Sequence, residues 1–394
     1  MQVAGIIAEY NPFHNGHAYH LQKTRELGAT HIAVVMSSSF VQRGDIAACS
    51  KWARAEAALR GGADLIVELP ALYALSPARN FARAGVALLH RLGADWLCFG
   101  SEEGDGERLR QAAGLAAEAE RSALMGELLS RGLSYPRARA AAVAELYGGD
   151  WPQLITGANN LLGMEYIRAI QEIAPTLLPV TIPRCQTLHD GEEAGETIAS
   201  ASVVRRHLRR GELAALTRYL PDSSFRICLE EISRLRAPVT ERAVERLLLN
   251  RLRELTPEEL ALLPEVSEGL ENRLSRAAKA AVSLEDFYMK AKTKRYTMAR
   301  IRRISFCALL GITRELQQTP PSYLRVLGAN RRGMEILARA KEREGVPISS
   351  KFASLYRQHP AGIETEVRAT DLYALAMPSV HPCNLDFTTK PVIL

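Results

Sequence analysis

A six-residue apolar run at 3–8 (VAGIIA) meets an acid at Glu9 and then a turn bearing Pro and Gly, YNPFHNGH, and no other stretch of this 394-residue chain narrows its fold as much. An uncharged run of that length reads as a strand buried on both faces, the kind found in parallel sheets. After the turn, AYHLQKTRELG has helical spacing and stops at Gly28, where a left-handed residue can end a helix. The pattern then repeats. Residues 31–37 (HIAVVMS), 63–70 (ADLIVELP) and 95–101 (DWLCFGS) are strand-like, Ser50 is a candidate N-cap for a helix from Lys51, and 78–93 is helical. Residues 179–184 return to the sheet and 199–211 form one more helix. Strands separated by helices at this spacing predict an α/β fold, a parallel sheet with right-handed crossovers and helices on both faces. Ligands bind such sheets at the carboxyl ends of the strands, where the turn after the first strand, Gly100-Ser101-Glu102 and the loop after Met36 should gather.

From about 105 to 175 the chain is mainly helical, and beyond about 225 no β-α alternation is visible. The length predicts two domains, one at 1–220 and a mostly helical, basic one at 221–394. A hydrophobic content of 47% and charged content of 24% are those of an ordinary globular protein. No apolar run reaches the ~18 residues of a membrane helix, and the first residues carry no basic leader, so a cytoplasmic protein without membrane contact is expected. Six cysteines without a C-x-x-C pair argue for reduced, mostly buried thiols. The net charge of +6 is focused: Lys290, Lys292, Lys294, Arg295, Arg300, Arg302 and Arg303 are seven basic residues in fourteen, with Tyr296 among them and no acid. An RNA backbone with an unstacked base would suit that patch; a solvated helix face is the plainer account.

His14-Asn15-Gly16-His17 carries the most chemistry. Gly16 lets backbone approach a ligand where a Cβ would collide. His14 lies in the turn and His17 in the first helical turn, so both imidazoles can face one pocket above the unpaired N–H groups of a helix start. A triphosphate fits there, with the histidines donating to oxygens whose charge grows in the transition state. Two neighbouring histidines are more often structural; the Gly between them, the strand before and the helix after favour function. His20 and Lys23 follow on or near the same face, Lys23 as a phosphate ligand or a solvated lysine. A metal on His14, His17 and His20 would lack a carboxylate or cysteine to complete the set. Ser200, Ser202 and Arg205 offer hydroxyl, N–H and guanidinium donors for phosphate, or ordinary capping before a basic helix. Lys51 and Arg54 are read as phosphate or RNA ligands, or as a solvated first turn.

EYNPFHNGH with ASASVVR resembles the H-x-G-H and I-S-S-T-x-I-R pair of the nucleotidyltransferase superfamily, departing from it at Ala199 and Ala201. Together with VMSSSFVQRGDIA, SKWARAEAAL, ADLIVELP, FGSEEGD and NNLLGMEYI, the series resembles the tRNA(Met) cytidine acetate ligase family through about residues 1–210. The resemblance implies a Rossmann-like parallel-sheet nucleotidyltransferase domain followed by a mostly helical C-terminal domain. It implies that ATP and free acetate give acetyl-adenylate, and that the wobble cytidine of elongator tRNA(Met) takes the acetyl group as 4-acetylcytidine. The ATP site would comprise Ile7, Ala8, Glu9, Tyr10, Asn11, Pro12, Phe13, His14, Asn15, Gly16, His17, Ala18, Tyr19 and His20, with Gly100, Asn159, Asn160 and Arg184. The catalytic set would be His14, His17, Ser200, Ser202 and Arg205. Mg²⁺ would accompany the phosphates, with no metal held by the protein itself and no stable protein partner. Asn159-Asn160 alone reads equally as a helix cap and Arg184 as a surface arginine; Glu9 and Asp45 are base candidates by location only. The alternatives are an adenylyltransferase of the same fold acting on a phosphorylated precursor, and a non-catalytic ATP- and RNA-binding protein.

Overall fold

The computed structural model describes residues 1–184, 197–267 and 269–394. Its main sheet contains β1 (Val3–Ala8), β2 (His31–Ser37), β5 (Leu65–Leu69), β6 (Trp96–Ser101), β7 (Leu178–Pro183), β8 (Leu324–Ala329), β9 (Ile348–Ser349) and β10 (Val392–Ile393). The order is β10-β8-β5-β2-β1-β6-β7, with β9 also on β8. A separate hairpin pairs β3 (Phe40–Val41) with β4 (Asp45–Ile46). Five strands run parallel, β1 against β2 in register from Val3↔His31 to Ala8↔Met36, and β1 against β6 on its other side. Strand order reverses at β1, and that switch point opens a crevice at the carboxyl ends of β1 and β6.

Both faces are covered. Ala4, Ile6, Val34 and Met36 share one core with Leu21 of α1 (Asn15–Glu26) and Leu59 of α2 (Lys51–Arg60). Val3, Ala33, Val35 and Leu97 pack in the other with Leu89 of helix Ala78–Leu92 and Ile167 of helix Ala158–Ile173. The contact of β1 with helix Ala78–Leu92 depends on glycines. A Cβ at Gly5 would lie 2.6 Å from Leu89, and one at Gly85 would lie 2.5 Å from Ile7.

The five strands expected in the first half are present with their ends shifted by no more than two residues. The absence of β-α alternation beyond 225 is corrected: β8, buried along its length, is followed by helix Arg331–Lys341. A single run amid helices has no periodic neighbour to mark it, and β8 pairs antiparallel with β5, outside any parallel crossover. Residues on either side of 220 therefore share one sheet.

Candidate functional site

The turn leaving β1 is held from four directions. Arg54 Nη1 donates to the Glu9 carbonyl at 2.7 Å, Arg205 Nη1 to the Asn11 carbonyl at 2.9 Å, and Ser224 Oγ to the Phe13 carbonyl at 2.6 Å. The fourth tie is the Ala48 N–H, which donates to Asn11 Oδ1 at 2.8 Å. Tyr10 takes a positive φ of 46° and is buried, its ring edge-on to Phe13. The turn is thus fixed before α1 begins.

His14 is the N-cap of α1. Its Nδ1 accepts the Gly16 N–H at 3.1 Å, and His17 Nδ1 accepts the His14 N–H at 3.2 Å. This is a capping box with imidazoles in both places. The rings stack at 3.6 Å between centroids, and Tyr10 and Phe13 pack against His17. A ring that accepts at Nδ1 carries its proton, when neutral, on Nε2. Burial, then the charges of Arg184 and Arg205, push His14 down to about 3. Burial, then His14, His20 and the same arginines, hold His17 well below the usual range. His20, lowered by burial and Arg184 to about 4, has a buried Nε2 with no partner among the described residues. A Cβ on Gly16 would lie 3.0 Å from His14 Cε1, so the near neighbour that this glycine accommodates in the structure is the His14 ring.

Arg184 and Arg205 act electrostatically on both rings. Arg184, just after β7, donates to Asn159 Oδ1 at 2.6 Å, and its stem passes Gly100, where a Cβ would lie 3.2 Å from Cγ. Asn160 Oδ1 accepts the Glu103 N–H at 3.1 Å, and its Nδ2 donates to the Leu154 carbonyl at 3.0 Å. Asn159 holds Glu102 and Arg184. Ser200 caps helix Ala201–Arg210, with Ser202 Oγ 2.8 Å from Ser200 Oγ. Asn15 ties this segment to α1 through the Thr197 and Arg218 carbonyls. Ile7 packs into the core against Gly85, and Lys23 pairs with Glu26 at 2.6 Å. Glu9 Oε1 accepts the Gln42 N–H, and Asp45 pairs with Arg209 at 3.1 Å.

One expectation is overturned. Lys51 and Arg54 are fully buried. Arg54 serves the carbonyls of Cys49, Glu9, Ser37 and Ser38, and Lys51 joins Glu68, Glu366 and Asp386. Neither is a phosphate or RNA ligand. In the basic patch, Arg300 holds the Glu265 carbonyl and stacks on Tyr296. Arg302 pairs with Glu241, and Arg303 forks onto Glu265. Tyr296 is buried; Lys290, Lys292, Lys294 and Arg295 are exposed. The sequence places Glu102 at the strand ends without giving it a role, since nothing near it announces the helix it caps, which starts at Ala158. Four of the five described cysteines are buried and all five are free; Cys185 lies outside the described residues. Among the described residues there is no group of three His, Cys, Asp or Glu poised for a metal, and no helix long and apolar enough to cross a membrane.

Residues 1–386 match the family model of the HIGH nucleotidyl transferases. The tRNA(Met) cytidine acetate ligase of Acetivibrio thermocellus is 36% identical over the whole of both chains, and that of Listeria monocytogenes 37% over the whole of both. The structure of Thermotoga maritima TmcAL bound with alpha-thio ATP superposes with a TM-score of 0.92 at 32% identity, each chain fully covered.

Proposed function

The chain belongs to the tRNA(Met) cytidine acetate ligase family of the HIGH nucleotidyl transferases, and on that premise we propose that it activates acetate with ATP and delivers the acetyl group to the wobble cytidine of elongator tRNA(Met). An acetate oxygen attacks the α-phosphorus, acetyl-adenylate forms and the bond to pyrophosphate breaks. The cytidine N4 amine then attacks the acetyl carbonyl, AMP departs, and N4 loses a proton to leave 4-acetylcytidine.

The observation that carries this reading is the stacked pair His14 and His17. Each Nδ1 is committed to a backbone N–H, so each neutral ring offers Nε2–H at a helix N-terminus beside Arg184 and Arg205. Fixed donors of this kind stabilise charge moving onto phosphoryl oxygens without reorganising. Arg205, Ser200 and Ser202 add cationic and hydroxyl donors from the facing helix start. Mg²⁺ would accompany the nucleotide as its counter-cation and help neutralise the phosphate charge. Lys290, Lys292, Lys294 and Arg295 supply the exposed charge for the tRNA backbone, and the cytoplasm is the compartment.

The test is acetate-dependent exchange of labelled pyrophosphate into ATP, with and without bulk tRNA, followed by transfer of acetyl label to tRNA. His14→Ala and His17→Ala should each slow exchange by about 10²–10³-fold. No exchange in wild-type protein that binds ATP would sink the reading and bring forward an adenylyltransferase with another substrate.

A further inference from the structure

Glu102 follows β6 directly and is tied to an element more than fifty residues away along the chain. Its Oε1 accepts the Asn159 N–H at 3.1 Å and Asn159 Nδ2 at 2.6 Å, and its Oε2 accepts the Asn160 N–H at 2.7 Å. The two backbone groups belong to the first turn of helix Ala158–Ile173, where N–H groups lack intrahelical acceptors. The carboxylate thus caps that helix from outside. It does more to Asn159: with Nδ2 on the carboxylate, Oδ1 has to face the other way, and there it accepts Arg184 Nη1 at 2.6 Å. The amide has one orientation, and the guanidinium is held by it.

Glycines leave room at both ends of this relay. A Cβ at Gly157 would lie 3.1 Å from Glu102 Oε2, and one at Gly100 3.2 Å from the Arg184 stem. Burial raises the Glu102 carboxyl, but the hydrogen bonds from Asn159 and Asn160 outweigh it and keep it below the ordinary range, so the group is ionised at neutral pH. Arg184 in turn acts electrostatically on His14, His17 and His20. An amide between acid and base has a consequence that a direct ion pair would lack. The guanidinium is oriented, yet its charge is not cancelled by a carboxylate in contact and stays available to an anion.

We propose that Glu102 is a positioning residue for nucleotide binding, acting through the Asn159 amide to aim the Arg184 guanidinium at the phosphates held over His14 and His17. The inference rests on the ATP site described above and adds to it a residue that touches no substrate.

The test is the Kd of ATP for the full-length protein by calorimetry, in wild type, Glu102→Gln, Arg184→Ala and the double variant, with Tm measured on each. Glu102→Gln should weaken ATP about tenfold, the scale of a hydrogen bond to a charged group. In the Arg184→Ala background the same change should cost less than about twofold, because the residue it positions is gone. A helix cap with no other role would lower Tm equally in both backgrounds and leave Kd unmoved; that result, or additive weakening in the double variant, overturns the proposal. If Glu102→Gln does not fold, Asn159→Ser cuts the relay while keeping both backbone N–H groups on Glu102, and the same non-additivity is required of it. Wild type that binds ATP but shows no acetate-dependent exchange fails the ligase reading and leaves the relay standing, whereas wild type that binds no ATP overturns both.

Discussion

At the scale of single residues the site depends on two imidazoles that cap the backbone N–H groups of Gly16 and His14, and Gly16 is what lets His14 stack on His17. A methyl group there would press on His14 Cε1 and Nδ1 at about 3 Å, while alanine is intrinsically the better helix former by ~1 kcal/mol. Gly16→Ala should therefore leave Tm nearly unchanged and slow acetate-dependent exchange by about ten- to a hundredfold; an unaffected rate would mean that the ring's exact placement is not used. Protonation gives a second, independent check. His14 and His20 are pushed down to about 3 and about 4, and His17 well below its usual value, mainly by burial. Unfolded histidine titrates near 6.5, so between about pH 6.5 and 4 the unfolded chain binds more protons than the folded one. Stability then rises with pH across that window and is lost as pH falls through it. Thermal unfolding without nucleotide should show that loss, and kcat/KM for ATP should carry no histidine limb near 6.5. An acid limb at pH 6–7 that vanished in His14→Asn would contradict the neutral-donor mechanism.

Among the elements, β1 matters most, because it carries the turn on its carboxyl end and is gripped by a helix at unusually short range. Gly85→Ala adds a Cβ 2.5 Å from Ile7 in a closed core, where overpacking costs ~1–3 kcal/mol and exceeds the ~1 kcal/mol gained in helix propensity. The expected result is a lower urea midpoint with an unchanged slope, accompanied by weaker ATP binding as β1 shifts; a stabilised protein would show that the helix can simply move away. Elements of this kind were legible in the sequence because their signals are local. Apolar runs marked β1, β2, β5, β6 and β7, Ser50 and Ser200 marked helix starts, and Gly93 and Gly211 marked helix ends with φ of 74° and 70°. What was not legible depends on partners distant in the chain. Lys51 and Arg54 look solvated in a first helical turn, since nothing nearby in sequence announces Glu366 or Asp386. Nothing near Arg303 in the sequence announces Glu265 as its partner either.

For the whole molecule, the buried cluster around Lys51 joins α2 and β5 to β8 and to the last thirty residues of the chain. Lys51 Nζ reaches Glu68 at 2.5 Å, Asp386 at 2.8 Å and Glu366 at 3.0 Å, and Arg325 also contacts Glu68 and Asp386. Three carboxylates face two cations with almost no solvent, so full ionisation leaves a net negative charge in a medium that tolerates it poorly. The excess is relieved at Glu366. Burial and the adjacent Glu68 raise it to about 7, although Lys51 opposes them, while Lys51 and Arg325 hold Asp386 below its ordinary value against burial. A carboxyl raised in the fold contributes stability that is fully present below its unfolded value of about 4.3 and is lost as pH rises through about 7. The histidines slope the other way over part of that range, so the contribution has to be read as a difference. Urea unfolding of wild type and Glu366→Gln at pH 5, 6, 7 and 8 isolates it, since the histidine contribution cancels between the two. Wild type should lose stability relative to the variant from pH 5 to pH 7 and level off towards pH 8. Gln retains one carbonyl acceptor for Lys51 but presents an amide N–H₂ to the Ala71 N–H now bound at 2.7 Å, so the variant starts from a lower stability and only the slope is diagnostic. Parallel curves would mean that Glu366 is ionised throughout, and that the fold carries the buried charge by some means other than a proton on this residue.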